Sequence, residues 1–129
     1  MKKMFIIILI IIIISLFSLP SYVELNNLII IEGIGVKCNK DSYTIYLKEI
    51  IPIRKDNSIS YNYKLYEDTN YSLDSTMKNI INKTNKKIYL NDTRYIITDC
   101  DTSDKILKHF KIKPKYIKHT KSNIEKELK

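Results

Sequence analysis

The sequence predicts an α+β fold: a single N-terminal transmembrane helix followed by a small domain with a mainly antiparallel sheet and two helices. Three observations carry this. A charge-free apolar stretch near the start is set apart from the rest, β-rich runs separated by turn residues fill the middle, and two later segments repeat their apolar residues at helical spacing. The 129 residues carry 22 Lys+Arg against 14 Asp+Glu, a net charge of +8. That length suits one small domain and excludes a large multidomain enzyme.

The N-terminal element comes first. Lys2 and Lys3 precede Met4, and no charge follows until Glu24. Twenty helical residues span about 30 Å, one hydrocarbon core. The run from Ile6 to Ile14, broken only by Leu9, is apolar all round and so has no amphipathic stripe to face a soluble core. A cleavable signal peptide needs a shorter apolar region and small residues before the cut. Cutting after Ser18 or Ser21 instead places Leu16 or Leu19 at the minus-three position, so residues 1–23 are expected to remain as a membrane anchor, though signal-like in position. The two leading lysines favour a cytoplasmic N-terminus, with the following domain outside the membrane. Cys38 and Cys100 then meet conditions that permit a disulfide. Two buried free thiols fit their spacing as well.

In the exported part, Leu28 to Val36 is a continuous apolar run that suits a buried strand. Gly33 and Gly35 within it point to a bulge or a close backbone approach, since a phosphate-binding loop would need a third glycine and a following helix. A turn at Asn39-Lys40-Asp41 returns the chain into a second strand, Tyr43 to Ile51. After Arg54-Lys55-Asp56-Asn57, the residues Ile59, Tyr61, Tyr63 and Leu65 alternate with Ser60, Asn62 and Lys64. This predicts a strand with the first set in the core and the second in water. Leu73, Met77, Ile80 and Ile81 then recur at helical offsets behind Ser72, an expected N-cap, with Asp74 in the first turn and Lys83, Lys86 and Lys87 near the end. Tyr95-Ile96-Ile97 reads as a buried strand, following Ile88-Tyr89-Leu90 and the turn-like Asn91-Asp92. Thr102 or Ser103 caps a shorter helix bearing Ile106, Leu107 and Phe110, and Lys115 to Thr120 forms a last strand behind Pro114. The order β-β-β-α-β-α-β implies helices on one face of the sheet.

Charge is uneven along the domain. Glu24 to Asp104 carries 11 basic and 12 acidic residues, whereas Lys105 to Lys129 carries 9 lysines against Glu125 and Glu127. Residues 121–129 read as a basic flexible tail. No catalytic, cofactor-binding or metal site is expected. His109 and His119 have no ligand partners at metal spacing, and no nucleophile elbow, zincin helix or phosphate loop occurs. Asp99 and Asp101 around Cys100 look like a strand end running into a helix cap. The ten tyrosines do not read as a base-stacking platform, so nucleic acid is not expected as a partner. The N-x-S/T triplets at Asn70, Asn82 and Asn91 are what a chain so rich in Asn, Ser and Thr contains by chance.

An export segment followed by Glu24-Leu25-Asn26-Asn27-Leu28, a hydrophobic run and Gly33-Ile34-Gly35-Val36 resembles the start of the Ger(x)C family, the C subunits of bacterial spore germinant receptors. The similarity continues through the Tyr-rich strands, the helix at Ser72 to Thr84, Lys87-Ile88-Tyr89-Leu90 and the strand Tyr95 to Thr98, covering Tyr22 to Tyr116. Family members carry a lipid-modified cysteine five residues before the Glu. This chain has Leu19 there, followed by Pro20, so the apolar span would replace the lipid. Family members also continue into further domains, and this chain corresponds to the first.

The resemblance implies residues 24–120 as a Ger(x)C-like N-terminal domain, non-enzymatic and without cofactors. It would be held on the outer side of the membrane, the inner spore membrane for this family, and act by protein contacts in spore germination. The implied partners are the integral-membrane A and B subunits. A different reading is a stand-alone surface module whose lysine-rich C-terminal region binds anionic lipid or cell-wall polymer.

Overall fold

The computed structural model of the chain describes residues 2–17, 27–101 and 103–129. Helix α1 (Lys2–Phe17) has 16 residues. That gives it about 24 Å, against about 30 Å for a hydrocarbon core. Among the described residues no helix is long and apolar enough to cross a membrane, so the expected transmembrane helix is not supported. Ser18 to Val23 of the expected span, and Glu24 to Asn26 of the family-like motif, lie outside the described residues. From Met4 to Ile13 the described side chains of α1 are 45% to 68% exposed.

The domain is α+β, as expected. Strands β1 (Leu28–Cys38), β2 (Tyr43–Lys55) and β3 (Ser58–Asn70) form an antiparallel meander. The first turn closes with the Asn39 N–H donating to the Ser42 carbonyl at 2.9 Å. The second is the two-residue Asp56-Asn57 turn, where Asp56 adopts a left-handed φ of 47° that a short polar side chain tolerates. Helix α2 (Leu73–Thr84) then leads to β4 (Lys87–Tyr89) and β5 (Tyr95–Thr98), and α3 (Ser103–Phe110) leads to β6 (Tyr116–His119). The strand order is β3-β2-β1-β5-β6, with β4 paired to the start of β1. By paired length the sheet is mainly antiparallel, but β4, β5 and β6 add a parallel half.

Helix α2 starts and stops where its chemistry dictates. The Ser75 N–H donates to Ser72 Oγ at 3.1 Å, the expected N-cap. At the far end Asn85 turns left-handed (φ 51°) and its N–H donates to the Ile81 carbonyl at 3.0 Å. Leu73 and Ile80 are buried as expected, but Ile81 is 40% exposed. Thr76 takes the buried place, with its hydroxyl donating to the Ser72 carbonyl at 2.7 Å and so satisfied without water.

Strand alternation divides the core in two. On one face Ile34, Val36, Ile45, Leu47 and Ile96 pack with Leu73 and Ile80 of α2 and Ile106 and Phe110 of α3. On the other, Tyr46 and Ile97 pack with Ile124 and Leu128 of a fourth helix, α4 (Ile124–Leu128). The expectation of helices on one face alone is corrected by α4. The segment 121–129, read as a flexible basic tail, contains this helix: Asn123 caps it by accepting from the Glu125 N–H at 3.0 Å, and Leu128 is fully buried. Its apolar anchors are only two residues four apart, too few to stand out against seven surrounding polar or charged positions.

Both glycines of β1 are close-approach sites. A Cβ on Gly35 would come within 2.6 Å of Ile124 Cγ2 and 2.7 Å of Leu128 Cδ1, and one on Gly33 within 2.4 Å of the Tyr95 ring. The expected bulge is also present, as a register shift between Ile31 and Gly33 against β2.

The face assigned to β3 is also corrected. Ile59, Tyr61 and Tyr63 are 65%, 52% and 51% exposed, and only Leu65 is half-buried. Pairing with β1 ends at Glu49, so Ile50 to Lys55 and their β3 partners continue past the β1–β2 ladder as a two-stranded ribbon on which Ile59, Tyr61 and Tyr63 stay open.

Candidate interaction surface

Cys38, at the end of β1, and Cys100, just beyond β5, form a disulfide across a Cα separation of 5.3 Å. Parallel pairing of Val36 with Thr98 has already brought the two ends together. Asp99 between them is occupied structurally, its Oδ1 accepting from the Cys38 N–H at 2.7 Å. Cys38, Asp99 and Cys100 are the metal-type cluster among the described residues, and the disulfide consumes both thiolates that a cation would need.

The histidines are far apart in role. His109 on α3 lies 3.7 Å from Asp74 at the start of α2 and meets the Phe110 ring edge-on at 5.0 Å. His119 belongs to β6. Nothing in the sequence could have paired His109 with Asp74, which come from two helices joined only through β4 and β5.

Three carboxylates are held by neighbours that sequence spacing did not reveal. Glu49 on β2 is buried and accepts from the Tyr66 hydroxyl at 2.7 Å. Burial first, and that bond second, push the Tyr66 phenol well above its usual range. Glu32 lies 3.5 Å from Arg94 and 3.9 Å from Lys48. Neighbouring Tyr95 is pushed up to about 12, chiefly by burial and then by the Glu32 charge, and stacks on Tyr116 with ring centroids 5.5 Å apart. Glu127 on α4 contacts Lys118 Nζ at 2.7 Å and accepts from the Thr120 hydroxyl at 2.6 Å and from the Ser122 hydroxyl. The Lys118 ammonium, then the two hydroxyls, hold the Glu127 carboxyl down at about 2.

The C-terminal lysines therefore do not form one surface. Lys105 and Lys108 flank the cleft at the start of α2, Lys113 and Lys115 line one at the start of β6, and Lys118 is paired with Glu127. Among the described residues, apart from Tyr71, Ile81 and Tyr116, the exposed large apolar side chains lie on α1 and on the projecting ribbon, at Ile59, Tyr61 and Tyr63. Lys48 Nζ sits 4.3 Å from the Tyr63 ring centroid at the base of that ribbon. Among the described residues the outer edge of β3 has no neighbouring strand, and it is 13 residues long and in unbroken register with β2. Such an edge presents unpaired N–H and C=O groups to an added strand.

No family model, curated protein or solved structure matches the chain.

Proposed function

We propose that the chain is a non-enzymatic, membrane-tethered module on the outer side of the membrane that works through protein contacts, in the manner of the first domain of a spore germinant-receptor C subunit. The observation that carries the tether is α1, whose described apolar side chains from Met4 to Ile13 all stand open and find no cover in the domain. Transfer of such surface from water is worth about 25 cal/mol per Å², so a helix of this kind needs an apolar medium. The contact role draws on the free β3 edge. The disulfide accords with an oxidising compartment outside the cytoplasm. The spore assignment draws on the sequence resemblance alone, and with it come the integral-membrane A and B subunits as partners.

Cross-linking of the full chain in native membranes, followed by detergent extraction, tests this reading. Two multi-spanning subunits should be recovered with it, and a Lys111→Gln, Lys113→Gln, Lys115→Gln, Lys118→Gln variant should recover them equally at moderate salt. Loss of recovery in that variant, with its circular dichroism unchanged, would favour a polyanion-binding module instead.

A further inference from the structure

The domain has two unlike ends. Strands β1, β4, β5 and β6 run parallel, so all four start at the same end of the sheet. Because β2 runs antiparallel to β1 and continues beyond it, the Asp56-Asn57 turn projects from this end too. Exposed cations collect there: Arg54 and Lys55 at the ribbon tip, Lys86 and Lys87 at the start of β4, Arg94 before β5, and Lys113 and Lys115 before β6. Among the described residues the acids at this end are Asp56, Asp92 and the already engaged Glu32 and Glu49. Side-chain packing agrees with the topology. Lys86 borders a cleft with Leu28, Ile50 and Pro52, while Arg94, Lys113 and Lys115 border another with Ile50, so cations border both clefts at the root of the ribbon. The opposite end carries Asp41, Asp74, Asp99, Asp101 and Asp104 mixed with lysines and has no such excess.

This basic end is also where the N-terminal segment joins the domain, at Leu28. Nine residues separate Phe17 from Asn27. A chain of that length reaches at most about 35 Å, so a tethered helix keeps the start of β1 close to the bilayer. The ribbon meanwhile exposes Ile59 and Tyr61 next to Arg54 and Lys55. Tyrosine and aliphatic side chains flanked by cations suit the headgroup region, where aromatic rings settle and anionic lipids attract Lys and Arg.

We propose that this end docks against anionic phospholipid headgroups, with Ile59 and Tyr61 entering the interface and the surrounding arginines and lysines contacting phosphate. The tether would then set the distance, and the basic end would fix which way the domain faces. That leaves the Leu65 to Asn70 part of the β3 edge and the disulfide end directed away from the lipid. The proposal rests on the membrane-tethered reading, and the experiment separates the two.

The full chain is reconstituted into vesicles of phosphatidylcholine, alone or mixed with phosphatidylglycerol. Flotation at about 1 M salt, where the screening length is about 3 Å, reads the tether. Amide hydrogen exchange over residues 53–61 at low salt reads the docking. The expected result is flotation at high salt in both lipids, with slower ribbon exchange in the anionic vesicles only. Each basic residue near such a surface is worth about five-fold in the docking equilibrium, so an Arg54→Gln, Lys55→Gln, Lys113→Gln, Lys115→Gln variant should abolish the difference while still floating. Equal ribbon exchange in the two lipids, with flotation intact, overturns the docking and leaves the tether standing. Slowing that grows with protein concentration in both lipids assigns the ribbon to a second copy and also overturns it. Salt-released protein with lipid-dependent slowing supports the docking and removes the tether.

Discussion

Reducing the Cys38–Cys100 disulfide should cost the domain about 4 kcal/mol. The two cysteines are 62 residues apart, and the bond closes a loop containing β2, β3, α2, β4 and β5. Chain-entropy arithmetic for a loop of that length gives about 4 kcal/mol at 25 °C, through restriction of the unfolded chain. Native distortion should subtract little, since the Cα separation of 5.3 Å lies in the ordinary disulfide range and the β1–β5 ladder already sets it. A domain of this size is typically stable by about 5–15 kcal/mol, so the loss would leave it marginal. The assay is urea unfolding of the full chain in mild detergent, followed by circular dichroism, with and without reductant. The reduced protein should unfold at lower urea and with a larger m-value, because its unfolded chain is less compact. Equal midpoints, or a stability difference below about 1 kcal/mol, would refute the loop-closure account.

Three further outcomes follow from particular contacts. Gly35→Val should undock α4, since even a Cβ there would lie 2.6 Å from Ile124 Cγ2. Limited proteolysis should then cut within residues 121–129, and stability should fall by about 2–4 kcal/mol as Ile124 and Leu128 lose their seat. Tyr63→Asp should cost no more than about 1 kcal/mol because Tyr63 is half exposed on the ribbon, whereas Leu47→Ala, at a fully buried position, should cost about 2–5 kcal/mol in the same unfolding assay. Glu127 has its folded pKa depressed from 4.5 to about 2, so its contribution to holding α4 is present above the unfolded value and is lost as pH falls from 4.5 through about 2. Carboxyl NMR should find that low midpoint, and Lys118→Met should raise it.

Local pattern made much of the fold legible. The Ser72 cap, the α2 periodicity, the three successive strands and the apolar run of β5 are each written within a dozen residues, where side-chain spacing and capping chemistry act without help from the rest of the chain. The glycines of β1 were legible as close approaches, but not which partners approach them. The candidate surface was much less legible. Lys86, Arg94 and Lys113 come from three separate connections and meet at one end only because the strands they precede run parallel.

The sequence by itself determined the apolar N-terminal helix, the meander, the capped α2 and the net positive charge. The tertiary structure alone decided which face of β3 is covered, that 121–129 docks as α4, that the cysteines pair, and where the cations gather. The reason is physical: alternation states that two faces differ, but burial depends on whether another element lies over one of them. For β3, the β1–β2 pairing ends at Glu49, before the ribbon, and Ile59, Tyr61 and Tyr63 keep the pattern of a core strand and stand in the open.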